Sequence, residues 1–464
     1  MVIAGCGLVC VASAETGSQP RPNIVLILAD DLGYADVSIQ GSDLYQTPHI
    51  DSIAEQGVRF TDGYVTAAYC SPSRAAILTG RYQERFGHEV LFWNNNNNVG
   101  LPVGEITIAD RLKEAGYATG MIGKWHLGKE KPFHPLSRGF TDFFGDAGHG
   151  SSYLPDPQTG LVGWKNGKQI YTFERNGVPV EIRKYLTDVY ADECVSFIDR
   201  HAGEPFFLYA AFTAPHAPLE ALPRDLADVA HVENEIRRTS AAMILALDRG
   251  VGRILDTLKK HGLEKNTIVV FLSDNGSNAP SGGRGKQREC HAENAPFRGI
   301  KGLVLEGGIR VPFFLKWPSE IPGGRVYREP VSSLDLVPTF LAAAGVKTDP
   351  DWKLDGINLT PFITGRRTGE PHERLFWRYW RTGQNRQLCA VREGNWKLVT
   401  DKGLGGELPG EQDWSLYNLA EDPSEQHNLI QAYPEKAAEL ARQWTGWNSG
   451  LVRPAWYFDP PGTH

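Results

Sequence analysis

Two apolar runs in this chain end in paired oxygen-bearing residues. Asp30-Asp31 follow Asn23 to Ala29 (NIVLILA), and Asp274-Asn275 follow Thr267 to Leu272 (TIVVFL), inside Ser273-Asp274-Asn275-Gly276. A donor set made only of oxygens suits a hard divalent cation such as calcium or magnesium, and suits zinc poorly. Two further runs end in nitrogen instead. Ala118 to Ile122 (ATGMI) leads into Gly123-Lys124-Trp125-His126-Leu127-Gly128, and Phe206 to Phe212 (FFLYAAF) into Thr213-Ala214-Pro215-His216-Ala217-Pro218. Lys124, His126 and His216 suit an anion. Taken singly, each cluster has a plainer role: an Asp pair after a strand is a turn or a helix cap, and a Pro-His loop is a packed turn. Their recurrence at equivalent places is what argues for a common site.

The elements that must position these groups are legible in the same runs. Continuous apolar segments rich in β-branched residues are expected of strands buried on both faces of a parallel sheet. Helical patterns lie between them, including Ile106 to Ala115 and Ala241 to Lys260, so the expected class is α/β, with a mostly parallel central sheet flanked by helices. In such sheets ligands bind beyond the carboxyl ends of the strands, where all four clusters fall.

The chain as a whole is compatible with that reading. Its 464 residues allow a large α/β domain with an appendage, and its 41% hydrophobic and 22% charged residues are those of a soluble globular protein. A net charge of -7 argues against a nucleic-acid partner while leaving room for a local basic pocket. The opening MVIAGCGLVCVASAETG reads as an export signal closed by Ala12-Ser13-Ala14, and Ile3 to Cys6 also resembles a lipoprotein cleavage box. No later run reaches membrane-spanning length, so the expected product is periplasmic, secreted or lipid-anchored. The six cysteines (Cys6, Cys10, Cys70, Cys194, Cys290, Cys389) show no zinc or disulfide spacing.

Cys70 is the cysteine whose setting suggests chemistry. In CSPSRAAILTGR, Pro72 suits a first helical turn and Ser71 a cap, which puts Cys70 at the amino end of a helix. There a helix dipole lowers a thiol's pKa, so the residue is either a reactive thiolate or a buried structural cysteine. The stretch Cys70-Ser71-Pro72-Ser73-Arg74, continued by Ala75 to Arg81, resembles the signature of the type I sulfatases of the alkaline phosphatase superfamily. PNIVLILADDLGY at 22 to 34, GKWHLG at 123 to 128, SDNG at 273 to 276 and RGIKGLVLEGGIRVP at 298 to 312 are similar to further blocks of that family, in its order. VREGNWKLV at 391 to 399 and LYNLAEDPSEQHNL at 416 to 429 resemble its C-terminal part.

The resemblance implies an alkaline-phosphatase-like fold and a sulfuric ester hydrolase. It implies that a formylglycine-generating maturation enzyme oxidises Cys70 to formylglycine (3-oxoalanine). One calcium ion would be held by Asp30, Asp31, the modified Cys70, Asp274 and Asn275. Arg74, Lys124 and His126 would surround the modified residue, and His216 and Lys301 would contact the sulfate.

The expected division is a leader at 1–14, a catalytic domain at 21–370 and a smaller C-terminal subdomain at 371–464. That subdomain is read as a small antiparallel sheet including a strand-like Ala390 to Thr400, with a terminal helix from Pro434 to Trp447 packed on the main domain. Arg378 and Arg381 are read as surface residues with some reach toward substrate. The expected substrate is a sulfated glycan, first a galactose or N-acetylgalactosamine sulfate. Phe86 to Gly100, with five consecutive asparagines, and Gly145 to Pro157 are expected at the pocket rim, and His88, His149 and His291 are candidate substrate contacts. The alternatives are a phosphodiesterase or phosphonate hydrolase of the same superfamily, and a catalytically silent glycan-binding protein.

Overall fold

The computed structural model describes residues 21–89, 99–148, 150–278, 294–381, 386–400 and 409–455. The expected leader, Asn94 to Asn98, His149, His291 and the side chain of Arg381 lie outside the described residues.

A ten-stranded mixed sheet forms the centre. Its middle is five parallel strands in the order Thr267–Ser273, Asn23–Ala29, Phe206–Ala211, Ala118–Lys124, Asp142–Asp146. Antiparallel pairing adds Phe313–Lys316 beside Thr267–Ser273 and Phe173–Arg175 beside Asp142–Asp146. The strand Asn23–Ala29 shows why both faces are covered. Ile24, Leu26 and Leu28 join one apolar core, while Val25, Ile27 and Ala29 join another, and each is essentially inaccessible. Burying a Val, Leu or Ile side chain contributes about 1.5–3 kcal/mol relative to leaving it exposed. The first face is packed by the helices Cys70–Thr79, Ile108–Glu114 and Leu336–Ala343, the second by Pro48–Glu55, Leu186–His201 and Glu235–Lys260.

Local signals set the helix ends. Thr107 and Asp110 form a reciprocal capping box, so the helix expected from Ile106 starts at Ile108. Asn234 caps the long helix by accepting from the Arg237 amide, which starts it at Glu235, six residues before the apolar pattern. The strand expected to stop at Ile122 continues through Lys124, because Gly123 and Lys124 pair with the neighbouring strand at Gly145 and Asp146.

A separate four-stranded antiparallel sheet comprises Leu375–Arg381, Arg386–Glu393, Trp396–Val399 and Ser415–Asn418. What the sequence suggests as one strand from Ala390 to Thr400 is a hairpin, turned at Gly394, where φ is +54°. Alternation again sorts the side chains. Trp377, Leu388 and Ala390 pack with Tyr64, Ala68 and Ile309 of the main body, whereas Cys389 and Val391 pack with Leu440 and Trp444 of the terminal helix Pro434–Ser449. That helix therefore lies mainly on its own sheet, with Trp447 reaching Tyr82 of the main body.

Candidate active site

Register brings the four polar clusters to one sheet edge. Ala29 is level with Ser273, Leu28 with Ala211, and Ala211 with Gly123, so Asp30, Asp274, Thr213 and Lys124 stand at neighbouring carboxyl ends. Close approach makes glycine necessary at two of these turns. A Cβ on Gly123, whose φ is +113°, would lie 1.9 Å from the Ala211 carbonyl oxygen, and one on Gly276 would lie 1.9 Å from that of Gly307.

The acidic side holds Asp30, Asp31, Asp274 and Asn275, all buried. Asp31 adopts a left-handed φ of 65°, its amide points at Asp274 Oδ1 (3.3 Å), and its own Oδ1 accepts from Asn275 Nδ2 at 2.7 Å. Each carboxylate meets a cation. Lys124 Nζ is 2.5 Å from Asp30 Oδ2, Lys301 Nζ is 2.6 Å from Asp31 Oδ1, and Arg74 reaches Asp274 Oδ2 through Nε (2.9 Å) and Nη2 (2.8 Å). Arg74 also donates to the Lys124 carbonyl at 2.6 Å, so this guanidinium is spent on holding the acidic side together.

Burial alone would raise both acids of the first pair. Lys124, His216, Arg74 and Lys301 nevertheless hold Asp30 well below the ordinary carboxylate range, and Lys301 and His216 lower Asp31. Asp274 goes the other way, to about 7, through burial and the charge of Asp30.

Cys70 opens the helix Cys70–Thr79, with Tyr69 as its cap residue and Gly80 ending it in the left-handed conformation. Lys301 Nζ lies 3.0 Å from the sulfur. Burial raises the thiol's pKa, with Lys124 and Lys301 opposing, which favours the buried thiol over the reactive thiolate of the two readings the sequence left open. Ser71 is not a cap either. It is the second helical residue, and its hydroxyl donates to the His126 carbonyl at 2.7 Å.

His216 stands on the opposite side, its side chain about a quarter exposed, with Nε2 3.7 Å from Asp31 Oδ2. Its Nδ1 is 2.6 Å from the Ala217 carbonyl, which only accepts, so Nδ1 carries a proton and Nε2 faces the acids. Burial lowers its pKa, with Asp30 and Asp31 opposing. The loop that bears it is held by Tyr153, whose hydroxyl lies 2.6 Å from the Thr213 carbonyl and 2.8 Å from that of His216. Sequence reasoning put this stretch at the rim and missed the buried tyrosine. The contact spans some sixty residues and leaves no local signal.

The donor chemistry fits a hard cation. Asp30, Asp31, Cys70 and His216 each present a ligand atom within 4.8 Å of the others, and among the described residues this is the one such cluster of acids, histidines and cysteines. Asp30 Oδ1 and Asn275 Oδ1 are buried acceptors with no hydrogen-bond partner, a state that costs about 1–3 kcal/mol per group and is relieved by a cation. Asp274 and Asn275 adjoin this cluster through the Asp31 amide and Asp31 Oδ1. Asn275 Oδ1 is the more apt ligand, since calcium takes oxygen and His216 is suited to moving a proton.

His88 and Arg378 depart from expectation. His88 is wholly buried, with Nε2 2.7 Å from Ser71 Oγ, and cannot meet a glycan. Arg378 is buried in a two-pronged pair with Glu89 (2.9 and 2.5 Å) rather than lying on the surface, because its strand packs against the turn after the Cys70 helix.

Comparison with known proteins agrees with this geometry. Residues 22–346 match the family described as Sulfatase, and residues 300–445 match N-sulphoglucosamine sulphohydrolase, C-terminal. The chain is 33% identical over 417 residues to N-acetylgalactosamine-6-sulfatase of Canis lupus familiaris, covering 86% of this chain and 74% of that one. It is 34% identical over 465 residues to arylsulfatase G of Rattus norvegicus, with 91% and 85% covered. Among solved structures, Ps i-CgsB in complex with k-i-k-neocarrahexaose superposes with a TM-score of 0.85 at 36% identity, covering 95% of both chains.

Proposed function

The chain belongs to the sulfatase family and is a sulfuric ester hydrolase, and on that premise we propose that it removes sulfate from a sulfated glycan by means of formylglycine at position 70 and one calcium ion. The observation that carries this reading is the placement of Cys70 at a buried helix start, with Lys301 3.0 Å from its sulfur and the acids of two strand ends around it. Galactose or N-acetylgalactosamine sulfate is the substrate we favour. The N-acetylgalactosamine-6-sulfatases and the neocarrahexaose complex among the similar proteins support it.

Calcium held by Asp30, Asp31, Asp274, Asn275 and residue 70 would supply Lewis acidity toward the sulfate oxygens and the nucleophile. Formylglycine, as its hydrate, would supply two hydroxyls, one to attack sulfur and one whose loss of a proton releases sulfate and restores the aldehyde. Charge balance favours this assignment. Three carboxylates, Asp30, Asp31 and Asp274, already face three cations, Arg74, Lys124 and Lys301. A divalent ion therefore leaves two positive charges for a sulfate monoester and an ionising hydroxyl.

Lys301 is the cation nearest position 70 and neutralises charge developing there. Lys124 and Arg74 help hold Asp30 ionised, and Arg74 keeps Asp274 in place. His216, with Nδ1 committed to a carbonyl, presents Nε2 as the nitrogen that passes a proton to the leaving sugar oxygen when the ring is doubly protonated; burial lowers its pKa, and the negative charges of Asp30 and Asp31 oppose that. His126 takes the proton from the second hydroxyl. The same reading divides the chain into catalytic residues 21–370 and a smaller part at 371–464, with export through the leader.

The test is the mass of the Cys70 peptide from protein made in its own host, together with 4-nitrophenyl sulfate turnover with and without a calcium chelator. A peptide lighter by the thiol-to-aldehyde change and chelator-sensitive turnover are expected. An intact thiol with no turnover overturns the reading.

A further inference from the structure

Ser71 Oγ lies 2.7 Å from the carbonyl oxygen of His126 and 2.7 Å from Nε2 of His88, and all three residues are buried. The Ser71 hydroxyl thus bridges the His88 ring and the His126 peptide, its oxygen within hydrogen-bond distance of both. Burial, with Arg138 adding to it and a backbone hydrogen bond to Gly100 opposing, lowers the His88 pKa to about 3, so the ring is neutral.

His88 is itself fixed. Its amide donates to the Gln83 carbonyl at 3.0 Å, and the Gln83 side chain is bound to Thr66 and Glu84. At the other end, His126 sits in the left-handed region at φ 59°, unfavourable for a residue with a Cβ and maintained only where its surroundings hold it. The hydroxyl that holds its carbonyl belongs to the neighbour of Cys70. The chain from His88 through Ser71 therefore ties the peptide of His126 to the residue beside the nucleophile.

We propose that His88 is a positioning residue for sulfate-ester hydrolysis: its hydrogen bond with Ser71 fixes the hydroxyl that keeps His126 in register with residue 70. This rests on the reading of residue 70 as nucleophile and His126 as its base. His88 touches no substrate and transfers no proton.

His88→Leu and His88→Gln separate this role from simple packing, since the glutamine amide restores a group able to hydrogen-bond near the position of Nε2. Turnover of 4-nitrophenyl sulfate is measured per mole of modified residue 70, and crystal structures are determined for the unmodified proteins. His88→Leu should lower kcat about 10- to 100-fold with KM within about twofold, and His88→Gln should recover most of that loss. The leucine variant should also show His126 leaving the left-handed region. Wild-type kcat in His88→Leu overturns the proposal, as does a His88→Gln protein no better than the leucine variant at equal Tm. If His88→Leu does not fold, His88→Asn, whose amide is too short to reach Ser71, replaces it under the same criteria. Absence of turnover in modified wild-type protein is a failure of the parent reading, and the crystal structures then decide alone: His126 unmoved in the leucine variant overturns the positioning role.

Discussion

Two buried clusters in this molecule set three carboxylates against three cations, and they differ in what is left over. At the strand ends, Asp30, Asp31 and Asp274 face Arg74, Lys124 and Lys301. At the junction with the smaller sheet, Asp62, Glu306 and Glu425 face Arg310, Arg392 and Lys397. In the junction every carboxylate oxygen has a hydrogen-bond or ion-pair partner, Glu425 Oε1 through its ion pair with Lys397 alone. Glu306 meets Lys397 at 2.8 Å, and its other oxygen meets the Tyr64 hydroxyl at 2.5 Å. Glu425 meets Lys397 at 2.9 Å and accepts from the Glu306 amide at 2.8 Å, while Asp62 meets Arg392 at 2.6 Å and Arg310 at 2.7 Å. At the strand ends, Asp30 Oδ1 and Asn275 Oδ1 have none. Backbone strain does not separate the two, since Glu425 is left-handed at φ 55° as Asp31 is at 65°. Unmatched oxygens do: a closed network holds the protein together, and an open one is built for something that arrives later.

Substitutions should break the comparison cleanly. Lys301→Ala and Cys70→Ala should each cost about 10³-fold or more in turnover of 4-nitrophenyl sulfate, with Tm within a few degrees of wild type. A large fall in Tm would put the strand-end cluster in the structural class. Lys397→Met should do the reverse, losing about 3–5 kcal/mol of stability in urea denaturation because it strands two buried carboxylates. Its kcat per folded molecule should match wild type, and a selective loss of kcat would contradict the division.

Calcium should sharpen the contrast. At a hundredfold excess over its Kd, calcium should stabilise the wild-type protein by about 2.7 kcal/mol relative to chelated protein, and Asp31→Asn should abolish that difference. The Lys397→Met deficit should be the same with or without chelator.

The smallest effect is on acid stability. Burial would raise Glu306, but Lys397, Arg310 and Arg392 bring it down to about 2 in the folded protein. A depressed folded pKa stabilises fully above the unfolded value of about 4.5 and loses that contribution as pH falls toward 2. The Tm advantage of wild type over Glu306→Gln should therefore be level above about pH 5 and shrink below it, in thermal melts from pH 7 to 3. A constant difference down to pH 3 would mean that Glu306 is not held ionised by its neighbours.

The contrast also shows why one cluster is legible in the sequence and the other is not. Asp30-Asp31, Lys124 and Asp274-Asn275 terminate apolar runs, so the parallel-strand pattern alone brings them to one edge. Glu306, Arg310, Arg392, Lys397 and Glu425 lie in segments with no common pattern, and only the packing of the small sheet on Tyr64 and Ile309 brings them together. His88 illustrates the same limit at the site itself. Residue type suggested a substrate contact, but burial made it the partner of Ser71.

By itself, then, the sequence determined the α/β class, the strand Asn23–Ala29, the strand from Thr267 to within one residue of its end, and the helix that begins at Cys70, because periodicity and turn residues are short-range and act within a few positions. Tertiary structure decided which polar atoms were left without partners, that burial raises the pKa of the Cys70 thiol, that Arg378 is buried, and that Ser71 holds His126. Each of these depends on burial and on contacts across tens to hundreds of residues, where the loss of water sets the energy of a polar group and no local pattern records who its neighbour will be.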